Sequence, residues 1–265
     1  MDVKIIFEDD QILVLDKPAG MIVNRSDTTK GETTLQDWVD DKFNVTGPAA
    51  HHLAGAHSAN KPLRASKVSD SRHPSEDDFV FRSGIVHRLD KETSGIILAA
   101  KTIPAFINLQ TQFKERKVQK TYIALAHGKI ETEKGEINVA VGRLPWNRKR
   151  FGVLAGGRES VTMYKVIKNL QLTINHEQLT LVELYPKSGR THQIRVHLQY
   201  IHHPIFSDPL YAGRKTSRND RKLLPRVFLH AAKISFFHPV NGELLSFETP
   251  LPDELADFIN HLSTE

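Results

Sequence analysis

Apolar runs of strand length and apolar stripes of helical spacing follow one another along this chain without a strict strand–helix alternation. That mixture points away from a doubly wound parallel sheet and towards an α+β sheet domain. Ile5-Ile6-Phe7 and Ile12-Leu13-Val14-Leu15 flank Glu8-Asp9-Asp10-Gln11 and read as a hairpin, which Pro18-Ala19-Gly20 brings to an end. Leu35, Trp38, Val39 and Phe43 have helical spacing after Thr33-Thr34, a plausible cap. Residues 96–100, 121–126, 161–167, 179–184, 229–236 and 244–247 read as strands, and 104–117 and 191–201 as helices. Leu255, Phe258, Ile259 and Leu262 form a closing helix. No internal repeat of solenoid length occurs.

Residues 44–82 break this pattern. They are rich in His, Ser, Ala, Asn and Gly and show no sustained period. The expectation is a flexible insertion within a single domain spanning 1–265. His51, His52, His57 and His73 lie here, but no spacing of histidines and carboxylates defines a metal geometry, so a solvated loop without metal is expected.

The chain has no cysteine, which excludes disulfides, thiolate zinc sites, iron–sulfur clusters and cysteine nucleophiles. A cytoplasmic or similarly reducing compartment fits. No apolar run reaches membrane-spanning length, and Met1-Asp2-Val3-Lys4 does not open a secretory signal, so no membrane partner is expected. Charge is unevenly spread. Residues 1–100 carry 12 basic and 16 acidic side chains, 101–150 carry 11 and 4, and 186–226 carry 9 and 2. Two basic blocks inside a folded chain suggest a face for a polyanion.

Two segments concentrate chemistry. In Gly84-Ile85-Val86-His87-Arg88-Leu89-Asp90-Lys91-Glu92-Thr93-Ser94-Gly95, a polar cluster sits between apolar runs, and Asp90 is flanked by cations. Loops between rigid strands are where catalytic groups tend to lie, and a positioned, ionised carboxylate can act as nucleophile or base. In Gly189-Arg190-Thr191-His192-Gln193-Ile194-Arg195-Val196-His197-Leu198, Thr191 is placed to cap a helix whose N-terminus favours an anion, with Arg190 beside it. Arg195 falls near the apolar stripe of that helix, and a partly buried arginine demands a carboxylate or phosphate.

HRLDKETSG, residues 87–95, resembles the signature of the RluA-family pseudouridine synthases, which is HRLD, two variable residues and TSG. GRTHQIRVHL (189–198), the segment Lys120-Thr121-Tyr122-Ile123-Ala124-Leu125, the opening Asp16-Lys17-Pro18-Ala19-Gly20, the late Leu229-His230-Ala231, and His202-His203-Pro204-Ile205 followed by Asp208 resemble further family landmarks, in order. The resemblance implies the pseudouridine synthase fold, a mixed, mainly antiparallel sheet flanked by helices with an active-site cleft across it. It implies isomerisation of uridine to pseudouridine in ribosomal or transfer RNA, after base flipping and with no cofactor, no metal and no nucleotide. It places Asp90 on the catalytic aspartate, which either adds at C1′ or takes a proton from C2′. Arg195 falls on the basic residue paired with it, and Tyr122 on the tyrosine that stacks on the base. Arg88 corresponds to the arginine that inserts where the uridine was, with His87 supporting the loop and Leu229 packing beside the base. Arg190 is a further substrate contact, and 143–150 and 214–226 are candidates for RNA-backbone contacts. Spacing alone reads Tyr122 and Leu229 as strand core. Many relatives carry an N-terminal S4-like module; here the catalytic hairpin begins at Val3, so a catalytic domain without that module, acting as a monomer, is expected.

Two other readings compete. One is a catalytically inactive RNA-binding protein of the same fold, which predicts loss of Asp90 or its partner. The other is a His/Asp/Ser hydrolase, which would want a Gly-x-Ser-x-Gly turn that the chain lacks.

Overall fold

The computed structural model describes residues 2–26, 29, 31–43 and 75–264. The opening hairpin forms as β1 (Lys4–Glu8) and β2 (Ile12–Lys17). Asp9 closes it, its carboxylate accepting from the backbone N–H of Gln11 at 2.7 Å and of Ile12 at 2.8 Å. β2 pairs antiparallel with β3 (Ser94–Ala100), which is buried at every position. Side chains of a strand alternate between faces. Ile96, Leu98 and Ala100 therefore share a core with Phe106 and Leu109, while Ile97 and Ala99 share another with Leu35 and Val39. A strand covered on both faces reads as one unbroken apolar run, as residues 96–100 do.

The covering helices are α1 (Leu35–Phe43) on one face and α2 (Glu76–Phe81) and α3 (Ile103–Lys114) on the other. Thr102 caps α3, and Arg116 at φ 61° turns the chain out of it, so the helix stops short of the expected residue 117. Residues 44–74 of the expected insertion, with His51, His52, His57 and His73, lie outside the described residues. Residues 75–82 are not loop. Ser75 forms a reciprocal capping box with Asp78, and Phe79 is buried with its ring edge-on to Phe106 at 5.6 Å. Six residues are too few for helical periodicity to register in the sequence.

The remaining strands are β4 (Gln119–His127), β5 (Lys134–Asn138), β6 (Val141–Arg143), β7 (Phe151–Val153), β8 (Val161–Gln171), β9 (Gln178–Pro186), β10 (Leu229–Phe237), β11 (Leu244–Glu248) and β12 (Ser263–Thr264). The main sheet has ten strands in the order β1-β2-β3-β10-β4-β9-β8-β12, with β11 on β10 and β5 on β8. Among the described strands only β3 and β10 run parallel. The expected mixed, mainly antiparallel sheet is therefore found. At the parallel junction the chains come very close. Gly95 has φ 111°, and a Cβ placed there would lie 2.3 Å from the Ala231 carbonyl oxygen, which only glycine accommodates.

α4 (Gln193–Tyr200), α5 (Arg214–Leu223) and α6 (Asp253–Asn260) complete the fold. α5, RKTSRNDRKL, has no apolar stripe and was not expected as a helix. It is held from inside by polar groups. The Asp220 carboxylate accepts from Ser207 N–H at 3.1 Å and pairs with His127 Nε2 at 3.0 Å. The other ring nitrogen, Nδ1, lies 2.8 Å from Glu177.

Burial alone would lower the pKa of His127, but Asp220 and Glu177 outweigh it and hold the pKa above its ordinary value of 6.5. A raised folded-state pKa means that this group's stabilisation is fully present below about pH 6.5 and is lost as pH rises through the elevated value. We predict that His127→Gln flattens that limb of the stability curve, measured by urea denaturation across the range. An unchanged pH dependence would refute the assignment.

Candidate active site

A cleft of about 560 Å³ opens where the 87–93 loop, the start of β4 and the 186–195 segment meet. Among the described residues its lining carries arginine or lysine at nine positions and a single carboxylate, Asp90. All seven residues singled out from the sequence, His87, Arg88, Asp90, Tyr122, Arg190, Arg195 and Leu229, line it.

The centre is a chain of charges. Asp90 Oδ2 accepts from Arg195 Nη1 at 3.1 Å. The Arg195 guanidinium also donates from Nε and Nη2 to the two oxygens of Asp208, at 2.7 and 2.8 Å. Asp208 is fully buried, Arg195 nearly so, and Asp90 keeps 21% of its side chain exposed. Burial alone would destabilise the arginine cation, but Asp208 and then Asp90 outweigh that and raise its pKa. The guanidinium also lies 5.1 Å from the Tyr211 ring centroid. The Tyr211 hydroxyl accepts from Phe151 N–H at 3.1 Å and lies 2.8 Å from His192 Nδ1. His192 Nε2 is 3.8 Å from Asp90.

The loop bearing Asp90 is pinned on several sides. Lys17 is fully buried and donates to the carbonyls of Pro18 (2.8 Å), Met21 (2.9 Å) and Lys91 (3.2 Å). Burial and then the nearby Arg226 push its pKa down to about 7, against the pull of Asp90 and Asp16. Gly20 N–H donates to the same Lys91 carbonyl at 2.8 Å. Glu92 receives a two-pronged contact from Arg221 at 2.9 and 3.0 Å and a third bond from Val227 N–H at 3.0 Å. Burial would raise the Glu92 pKa, but these partners hold it below the ordinary range.

The other expected residues take distinct places. His87 Nε2 accepts from Leu98 N–H at 3.0 Å, and its ring lies 4.9 Å from that of Phe113. Burial pushes its pKa down to about 3, so it stays neutral and braces the loop against β3. Burial, with Asp90 adding, pushes the Tyr122 phenol well above its ordinary value, so it is a protonated ring on the cleft wall. Lys120, two residues earlier on the same strand face, is pushed down by burial to about 8 and donates to the Ser188 carbonyl at 3.2 Å. Arg88 is exposed, Leu229 is buried at the cleft wall, and Arg190 Nε is buried with no hydrogen-bond partner among the described residues. One expectation fails. Thr191 does not cap α4, which starts at Gln193 after His192 in a left-handed conformation at φ 57°. The Gln193 side-chain Oε1 instead accepts from Ser188 Oγ at 2.7 Å and Arg190 N–H at 3.1 Å, shaping the turn from the helix side.

Sequence reasoning assigned no role to Asp208, Lys17, Glu92, His192 or Tyr211. For Asp208 the signal existed. Arg195 demands a carboxylate, and Asp208 and Asp220 are the only acids between 186 and 226.

A buried arginine stripped of its main partner is costly, so Asp208→Ala is expected to lower stability by about 3–5 kcal/mol. Asp90→Ala leaves the Asp208 fork intact and removes a partly exposed pair, so its cost is expected to be under about 1 kcal/mol. Denaturant titration of both variants checks this ordering, and equal losses would contradict it.

A sequence model described as RNA pseudouridylate synthase matches residues 11–200. The ribosomal large subunit pseudouridine synthase D of Nitrosomonas europaea is 35% identical over 257 residues, covering 96% of this chain and 63% of its own length. The chain thus spans less than two thirds of that relative. An uncharacterized RNA pseudouridine synthase of Bacillus subtilis is 35% identical over 262 residues, covering 99% of this chain and 73% of its own. Among solved structures, human RNA pseudouridylate synthase domain containing 1 has the same fold, with a TM-score of 0.69 at 24% identity, covering 100% of this chain and 89% of that one.

Proposed function

The chain belongs to the RNA pseudouridylate synthase family, and from that premise we propose that it isomerises uridine in RNA to pseudouridine at Asp90, with large-subunit ribosomal RNA as the substrate. The observation that carries the reading is Asp90 itself, the one carboxylate among the described residues of a cation-lined cleft, held by Arg195. Cations draw the phosphate backbone in, and the lone carboxylate is the group left to react with the sugar. The choice of ribosomal over transfer RNA rests on the name of the Nitrosomonas europaea relative.

The reaction breaks the bond from C1′ to N1 and forms one from C1′ to C5; C5 gives up its proton to solvent and N1 takes one up, so the product is an isomer and no co-substrate is needed. Reaching C1′ or C2′ requires the uridine to leave its stack, which costs a few kcal/mol. Arg88, exposed at the cleft and without an ion-pair partner among the described residues, fills the vacated place with a planar cation. The Tyr122 ring and Leu229 offer the flipped base apolar contact on β4 and β10. Arg195 stabilises the charge on Asp90 and fixes its orientation.

Asp90→Asn keeps the shape and one hydrogen-bond acceptor but removes the charge. Tritium release from RNA labelled at uridine C5 is expected to fall below detection, with RNA binding and melting temperature close to wild type. Turnover near wild type would sink the assignment of Asp90.

A further inference from the structure

Trp146 is 77% exposed at the tip of the β6–β7 hairpin. A single exposed aromatic needs no explanation in itself. This one sits in a stretch with no carboxylate between Glu136 and Glu159 and with five cations, Arg143, Arg148, Lys149, Arg150 and Arg158. The hairpin is also built into the wall of the cleft. Arg158, which lines the cleft, exchanges both backbone hydrogen bonds with Val141 of β6, at 2.9 and 3.0 Å. On β7, Phe151 N–H donates to the Tyr211 hydroxyl, and its ring meets that of His192 at 5.5 Å. A short path from Asp90 to the hairpin therefore runs through His192 and Tyr211.

The tip is stiff. Leu144 N–H donates to the Arg150 carbonyl at 3.0 Å, Arg150 N–H to the Asn147 carbonyl at 2.9 Å, and Lys149 N–H to the Asn147 side chain at 3.2 Å. Pro145 fixes a further backbone angle. An indole presented this way loses little freedom on binding.

We propose that this hairpin is a docking element for single-stranded RNA, in which Trp146 stacks on an unpaired base beside the cleft while Arg148 and Lys149, both exposed, meet the backbone. Base–aromatic stacking flanked by cations is the general means of holding single strands. The inference rests on the reading of the cleft as an RNA site. It adds to that reading the part of the substrate met outside the cleft: an unpaired base rather than a duplex.

The chain has two tryptophans, and Trp38 is half-buried with its ring 5.9 Å from Phe43. Trp38→Phe therefore leaves Trp146 as the sole indole reporter. A short uridine-containing single-stranded oligoribonucleotide is expected to quench its fluorescence saturably, and the same strand annealed to its complement to do so far more weakly. In the otherwise wild-type protein, Trp146→Ala is expected to raise the dissociation constant for that strand, and KM for a large-subunit ribosomal RNA transcript, about tenfold, with kcat changed less than about twofold. Trp146→Phe should restore most of the affinity. No quenching, an equal response to duplex, a response only to anionic lipid vesicles, or an unchanged dissociation constant would each overturn the proposal. So would a matching loss of melting temperature in Trp146→Ala. Asp90→Asn protein should give the same quench. If it still turns over, the catalytic reading fails while the docking element stands; if it is dead and Trp146 is silent, only the docking element fails.

Discussion

Arg195 is the interaction on which the arrangement of the site depends. A guanidinium this deeply buried must be matched by charge, and it is matched twice, by the buried Asp208 behind it and by the partly exposed Asp90 in front. The two partners are tied together by a second route. Ser207, next to Asp208, holds a left-handed conformation at φ 63°, fixed by Asp220 on its N–H and by its hydroxyl donating to the Leu224 carbonyl. Its own carbonyl accepts from Arg221, which forks onto Glu92, two residues past Asp90. The result is a closed circuit from Asp90 through Arg195, Asp208, Ser207, Arg221 and Glu92 back to the same loop. A loop fixed at both ends in this way holds its carboxylate in place without substrate, which is what preorganisation requires.

Electrostatics follows from that circuit. The cleft carries far more positive than negative charge, so its field attracts a polyanion while the strongest internal pairs are already formed. Lys17 and Arg226 are both buried near the start of β3; burial lowers the pKa of each, and Arg226 adds to the lowering at Lys17, which would be costly if each were not fully engaged. Lys17 meets three carbonyls; Arg226 meets Ser94, the Leu229 carbonyl and Glu254. These two cations brace the start of β3 and the start of β10, the one parallel junction among the described strands, where Gly95 lets the backbones touch.

Legibility in the sequence tracked the source of each element's stability. β2 and β3 were plain because alternation and double-sided burial both write themselves in apolar residues. α5 was hidden because a helix held by Asp220, Arg221 and buried serines leaves no apolar stripe. α2 was hidden by its length, and β6 and β7 by having three residues each. At the site, the seven residues to which the family resemblance gives a role line one cleft. Lys17 could not be foreseen as a tie between two loops, because its partners are backbone carbonyls and carry no sequence signal. The capping preference of Thr191 is overridden by the left-handed turn at His192, which takes the cap position and starts the helix at Gln193.

The same contrast separates chemistry from recognition in this chain. Asp90, Arg195, Asp208, Glu92 and Arg221 lie in one network, where removing Arg195 or Asp208 leaves a buried charge unpaired and changing the others loosens the loop that carries Asp90. Arg148, Lys149 and Trp146 touch little else in the protein and project from a hairpin whose turn is fixed by its own backbone. Substitutions there change what the surface offers without disturbing the circuit, since ΔΔG values of separated sites add. A fold built this way can keep its reacting carboxylate in one geometry while the RNA presented to it is chosen by exposed residues that packing does not constrain.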